Sequence, residues 1–202
     1  MATIDWPTTR AFSAAAFSLQ PFVSRSSFTG FLTGVKQRRS NLVDRLRATI
    51  TLPPCWAAEA AEREALLMAL LSTGDWLRLP MPHRPRLRGS MVGGPLVAAN
   101  AAAGARSISI VTTAGATVAG GDWLGVGGNL LQCAYGGAVA NLSGVVTVPL
   151  VLPLQRAVVS GAAVAYVAPT GVWQLDDDGL QLDYTAPVLQ QGIALPLLQV
   201  IV

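Results

Sequence analysis

Charge is scarce in this 202-residue chain. Charged residues make up 12% of it, about half the usual share of roughly 25%. Nine apolar residue types supply 51%. That balance excludes intrinsic disorder, which needs high charge and low hydrophobicity. It also argues against a freely soluble monomer, because so few charges cannot cover the surface. Histidine occurs once, as His83 between Pro82 and Arg84, so a histidine-based triad has one candidate base. A solvated loop residue is the simpler reading of it. The two cysteines, Cys55 and Cys133, have no CxxC or metal-ligand spacing. Nothing in the sequence supports a disulfide between them, and two reduced, buried thiols are expected. The N-terminal stretch MATIDWPTTR lacks a basic segment followed by an apolar one, so cytoplasmic synthesis is expected.

Long apolar helices are missing too. Residues 123–155 and 157–175 carry no charge, but glycines and prolines break both runs. Their Val and Thr favour strands, so no membrane-spanning helix is expected.

The charges present are unevenly placed. Residues 1–90 hold 12 basic and 6 acidic side chains, whereas 91–202 hold 2 basic and 5 acidic. All basic residues but Lys36 are Arg. The split suggests two units, with a boundary in the Pro- and Gly-rich linker near Gly89–Gly94. The first unit, 1–90, reads as a β-sandwich-like domain with one helix. The second, 91–202, reads as a Gly/Val-rich β module whose last strands either stay with it or complete the first unit.

In the first unit, residues 8–22 read as a strand or strand pair. All five Phe lie within residues 12–31, marking a core or a subunit contact. A basic-ended hairpin is expected over 26–40, turning at Gly30 and Gly34. Arg45–Leu52 (RLRATITL) alternates apolar and polar residues, as a half-buried antiparallel strand does. Pro53-Pro54 ends it. A helix follows over about 56–72, rich in Ala, Leu, Glu and Met. Trp56, Ala60, Leu67, Leu70 and Leu71 share one of its faces, with Arg63 among them. Trp76–Pro80 is a short strand.

In the second unit, Gly127-Gly128 is a hairpin turn between two strands. Val145–Leu152 is an edge or bulged strand because Pro149 lies inside it. The apolar stretch IALPLLQVIV is a buried strand. Trp123, Tyr135, Tyr166, Trp173 and Tyr184 are read as core. The fold class is therefore mainly β: an antiparallel sandwich or barrel with one helix, plus a second all-β module.

No constellation carries catalysis, and the chain is read as non-enzymatic, with no cofactor and no metal. Asp176-Asp177-Asp178-Gly179 lacks the alternating ligands of a calcium loop and reads as a solvated turn. The glycine clusters at 120–128 match no phosphate-binding loop. The arginines near 38–47 and 78–88 lack a nucleic-acid motif. They are read as facing acidic patches on partner proteins, and nucleic acid is disfavoured as a partner.

The order of short motifs carries a resemblance. Trp6-Pro7 comes first, then SFTGFLTG, RATITLPP, the Ala/Glu/Leu helix and DWLRLPMP. GGDWLGVGGNLLQ and PTGVWQL follow. This order is similar to small tail-tip proteins of long-tailed bacteriophages, of the distal tail protein type. The resemblance implies a structural virion protein, made in the host cytoplasm, that assembles as a homo-oligomeric ring of six copies. Tail-tube and tail-tip hub proteins are its implied partners. It puts the 26–40 hairpin where a belt links neighbouring subunits, with Phe28, Phe31, Lys36, Arg38 and Arg39 as interface residues. The alternative is a glycan- or receptor-binding β module on the virion surface.

Overall fold

The structure is a computed structural model that describes residues 2–22, 25–29, 36–40, 45–81, 86–176, 183–185 and 189–200. In chain order, β1 (Thr3–Asp5), β2 (Ala16–Phe22), β3 (Arg25–Thr29), β4 (Lys36–Ser40), β5 (Arg45–Leu52) and β6 (Cys55–Trp56) precede helix α1 (Ala57–Thr73). A short 3-10 turn, Arg10–Phe12, lies between β1 and β2. Next come β7 (Trp76–Pro80), β8 (Leu96–Val97), β9 (Ser107–Val111), β10 (Thr117–Val118), β11 (Trp123–Val126) and β12 (Asn129–Gln132). Then follow β13 (Ala138–Val139), β14 (Val145–Pro149), β15 (Val164–Ala165), β16 (Thr170–Leu175), β17 (Tyr184–Thr185), β18 (Leu189–Gln190) and β19 (Ile193–Gln199).

The chain is mainly β with one α-helix. Its largest sheet has six strands in the order β1-β7-β16-β19-β5-β2. Every pairing in it is antiparallel except β1 with β7, which departs from the all-antiparallel expectation. Thr3 to Asp5 run alongside Trp76 to Arg78, fastened where Asp75 accepts the Ala2 N–H at 2.7 Å. A Thr73 hydrogen bond, then this one, hold the Asp75 carboxyl below its ordinary range. Their contribution is therefore present at neutral pH and fades as acid protonates the folded carboxyl.

The alternation in β5 buries Leu46, Ala48, Ile50 and Leu52 and leaves the intervening residues half-exposed. β19 buries Ile193, Leu195, Leu197 and Gln199 in the same way, although Pro196 interrupts a central strand. The Pro196 carbonyl accepts from Asp176 N. In an antiparallel ladder a residue's N–H and C=O point to the same side. The missing N–H therefore faces β16 just where that strand ends, and the β5 side keeps its ladder. Pro149, at the end of β14, works similarly. β14 is an edge strand of the β14-β9-β8 sheet, as the proline predicts.

α1 runs one residue later than expected at its start and ends at Gly74, whose φ is +62°. It buries Ala60, Arg63, Leu67 and Leu70. Trp56 departs from the expected face: it precedes the first helical turn in extended conformation and is 66% exposed. The Arg63 guanidinium turns inward and donates to Pro53 O at 2.6 Å.

The described residues form two apolar clusters. One joins the inner face of the six-stranded sheet to α1 and takes in Trp123 and Leu130 from the glycine-rich half. The other fills the space between β8–β9–β14 and β11–β12–β15. Gly127 and Gly128 have φ of +53° and +81°, both positive as the tight β11–β12 hairpin requires.

The expected aromatic core needs one correction. Trp123 and Trp173 are buried, and Tyr166 is half-buried with its hydroxyl donating to Gly93 O. Tyr135 is fully exposed, because it sits on the turn before Gly136-Gly137 with no sheet face to pack against. The Tyr184 side chain lies outside the described residues.

Candidate interaction surfaces

The expected hairpin is present as the two-stranded β3–β4 ribbon, which among the described residues pairs with no other strand. Its register sets Phe28 opposite Gln37, Ser27 opposite Arg38, Ser26 opposite Arg39 and Thr29 opposite Lys36. Four of the five interface candidates thus lie on adjacent strands of one ribbon. Phe31, Gly30 and Gly34 lie outside the described residues, as do His83 and the Asp177–Gly179 turn.

Several arginines proposed to face partners are engaged within the chain. Arg47 pairs with Asp176 at 2.8 Å, Arg78 with Asp5 at 3.0 Å and Arg88 with Asp122 at 3.6 Å. Asp176 is therefore an ion-pair partner to β5 rather than a solvated turn residue.

Asp122 is a buried, heavily bonded side chain of the module. It is 1% exposed. Its carboxylate accepts the Arg88 N–H at 3.0 Å, the Gly89 N–H at 3.1 Å and the Ala119 N–H at 2.8 Å. The Arg88 guanidinium also reaches Gly120 O. Gly89 has to be glycine here: a Cβ would stand 2.0 Å from Thr117 O. Asp122 thus fastens the linker to the module and belongs to the architecture. The sequence offered only a glycine-flanked acid at this point, which turns commonly carry.

Concavities lie where the sheet meets the module. A groove of about 270 Å³ is lined by Arg78, Thr170 and Val172 on the sheet side and by Gly127, Gly128 and Ala165 on the other. Its one cation is the partner of Asp5, and no aromatic ring lines it. A crevice of about 20 Å³ lies among Trp123, Leu130, Leu152 and Gln199, room for about one water. Gln199 spans this junction, accepting from Leu46 N and donating to Leu130 O.

Both cysteines are free and buried. Burial pushes the Cys55 thiol up, more than nearby Arg63 pulls it down. Burial, then the Asp122 charge, raises Cys133. Reactivity follows the thiolate. A thiol reagent is therefore expected to label the native chain roughly a hundredfold more slowly than the unfolded chain. Rapid labelling of both sites in the native state would contradict this burial.

Among the described residues, no group of His, Cys, Asp or Glu is placed to hold a metal ion. Among the described residues no helix is long and apolar enough to cross a membrane.

What the surface does show is apolar area. Trp56 and Met68 are exposed at α1. Val92, Leu96, Val111, Tyr135, Val139, Leu142, Val151, Val159 and Val167 are exposed on the module. Leu96, Val111 and Val145 are direct cross-strand neighbours on β8, β9 and β14. Only Arg106, Asp122, Arg156 and Asp176 carry charge between residues 91 and 176, and Asp122 is buried. No protein-family model matches this chain, and no curated protein matches it.

Proposed function

We propose that this chain is a non-enzymatic structural subunit of a bacteriophage tail tip, a distal-tail-type protein that forms a homo-oligomeric ring between tail tube and tip complex. The observation that carries the reading is the module surface, where nine large apolar side chains are exposed and only four charged residues occur between 91 and 176. Scattered exposed hydrophobics are ordinary, but a surface this poor in charge resembles an obligate interface. The order of motifs along the chain supports the same reading. The β3–β4 ribbon is the element proposed to link neighbouring copies, and six copies is the proposed ring.

Negative-stain electron microscopy of the purified full chain tests this. Annular particles of uniform diameter are expected. Small single-chain particles at every concentration would contradict the reading. One observation favours the glycan- or receptor-binding alternative: Tyr135 stands fully exposed, as a sugar-stacking ring would. Glycan retention lost in Tyr135→Ala would move the assignment to that alternative.

A further inference from the structure

We infer that the outward face of α1 is the docking surface for the β3–β4 ribbon of a second copy of this chain. The inference rests on the ring reading and names the surface the ribbon meets.

The helix is apolar on both sides. Its inward side meets the core through Ala60, Leu67 and Leu70. Its outward side exposes Met68 at 52%, and Trp56 at 66% stands at its start. The side chains between them on that side are small and also exposed. A helix that is apolar all round is normally covered all round. Among the described residues α1 packs chiefly against the 3-10 turn, β6, β16 and β18, and the small side chains of its outward face stay exposed.

The charges identify that neighbour. With 3.6 residues per turn, Glu62 and Glu64 fall on opposite flanks of the exposed apolar strip, and both are exposed. Glu59, in the first turn, is half-buried and lies on the other side of the helix. The helix's single cation, Arg63, is turned inward and 1% exposed. The outward face is therefore apolar along its middle and acidic along its rims. The ribbon is its complement. Residues 25–40 carry Arg25, Lys36, Arg38 and Arg39 and no acid. Phe28 supplies an apolar residue in the same ribbon. A two-stranded ribbon is marginal on its own in water, so it too needs a surface to lie on. Thr9 donates to Glu62 at 3.0 Å, and Arg10 sits 3.8 Å from Glu59 with its own side chain 93% exposed. Exposed contacts of this kind contribute little and leave the acids able to meet a stronger cationic partner.

The contact is head-to-tail: the ribbon of one copy on the helix of the next. Repetition of such a contact closes into a ring when the rotation allows.

Charge reversal on the full chain tests it. A helix variant carries Glu62→Arg and Glu64→Arg; a ribbon variant carries Arg38→Glu and Arg39→Glu. Each alone is expected to weaken self-association more than about tenfold. Mixed one to one, they are expected to reassemble, because every contact in an alternating ring then joins opposite charges. Unaltered thermal melting of each variant confirms that it folds. As a second readout, Ala61→Cys on one copy and Ser27→Cys on another are expected to form an intermolecular disulfide under oxidation. If the wild type assembles but the helix variant assembles equally well, and no cross-link forms, this inference is overturned while the ring reading stands. A wild type that stays monomeric at all concentrations overturns both.

Discussion

Replacing Asp122 with alanine is expected to cost about 3–5 kcal/mol of stability. The carboxylate is buried and accepts three backbone N–H groups, from Arg88, Gly89 and Ala119, beside the Arg88 guanidinium. Alanine leaves those donors without their acceptor and the guanidinium without its counter-charge. Two of the three donors belong to the linker that Asp122 itself holds in place. Whole domains are stable by only about 5–15 kcal/mol, so the loss approaches unfolding at ordinary temperature. Asp122→Asn keeps one oxygen and is expected to lose about half as much. Denaturant melts of both variants check the order. A loss below about 1 kcal/mol in Asp122→Ala would contradict the role assigned to this carboxylate.

Trp173→Ala is expected to cost a similar amount, about 3–5 kcal/mol. Trp173 lies on β16 in the middle of the large sheet with no exposed surface. It is paired with Leu77 on one side and Gln199 on the other. Its side chain fills the cluster shared by sheet, helix and module, so removing it opens a cavity where those parts meet. Trp173→Phe separates packing from polarity. The indole N–H has no hydrogen-bond partner among the described residues, so phenylalanine gives up volume but no bond. A cost of about 1–2 kcal/mol is expected for it. Equal losses in the two variants would contradict a cost that scales with the ring volume removed.

What could be read from the sequence was what neighbouring residues determine. The two-residue alternation of Arg45–Leu52, the Ala- and Leu-rich helix, the Gly127-Gly128 turn and the edge position marked by Pro149 are all local signals, and the structure agrees with each. Pairing between distant strands is not local. Nothing in Thr3–Asp5 says that it lies parallel to Trp76–Arg78, because three residues carry no usable period. Likewise, the apolar stretch IALPLLQVIV reads as a buried strand, but nothing in it says that β19 inserts between β16 and β5. The same limit hid the chemistry of single acids. Asp122 and Asp176 sit in turn-like sequence, and only the fold brings Arg88 and Arg47 to them. Tyr135 was misread for the opposite reason: its composition suggests core, but its place on a Gly-Gly turn puts it in solvent. The ribbon was legible as a hairpin because Gly30 and Gly34 mark turn positions between its two halves. The surface proposed to receive it was not, since Trp56 and Met68 look like core residues until the helix is set on its sheet.

The central claim is that the apolar, charge-poor surface of this chain is covered by further copies of itself. The native mass of the purified full chain, measured by light scattering across a range of concentrations, tests that claim most directly. The account predicts one closed species with the mass of six chains, unchanged on dilution until it dissociates to single chains. A stable monomer at all concentrations, with its apolar surface open to water, would contradict it.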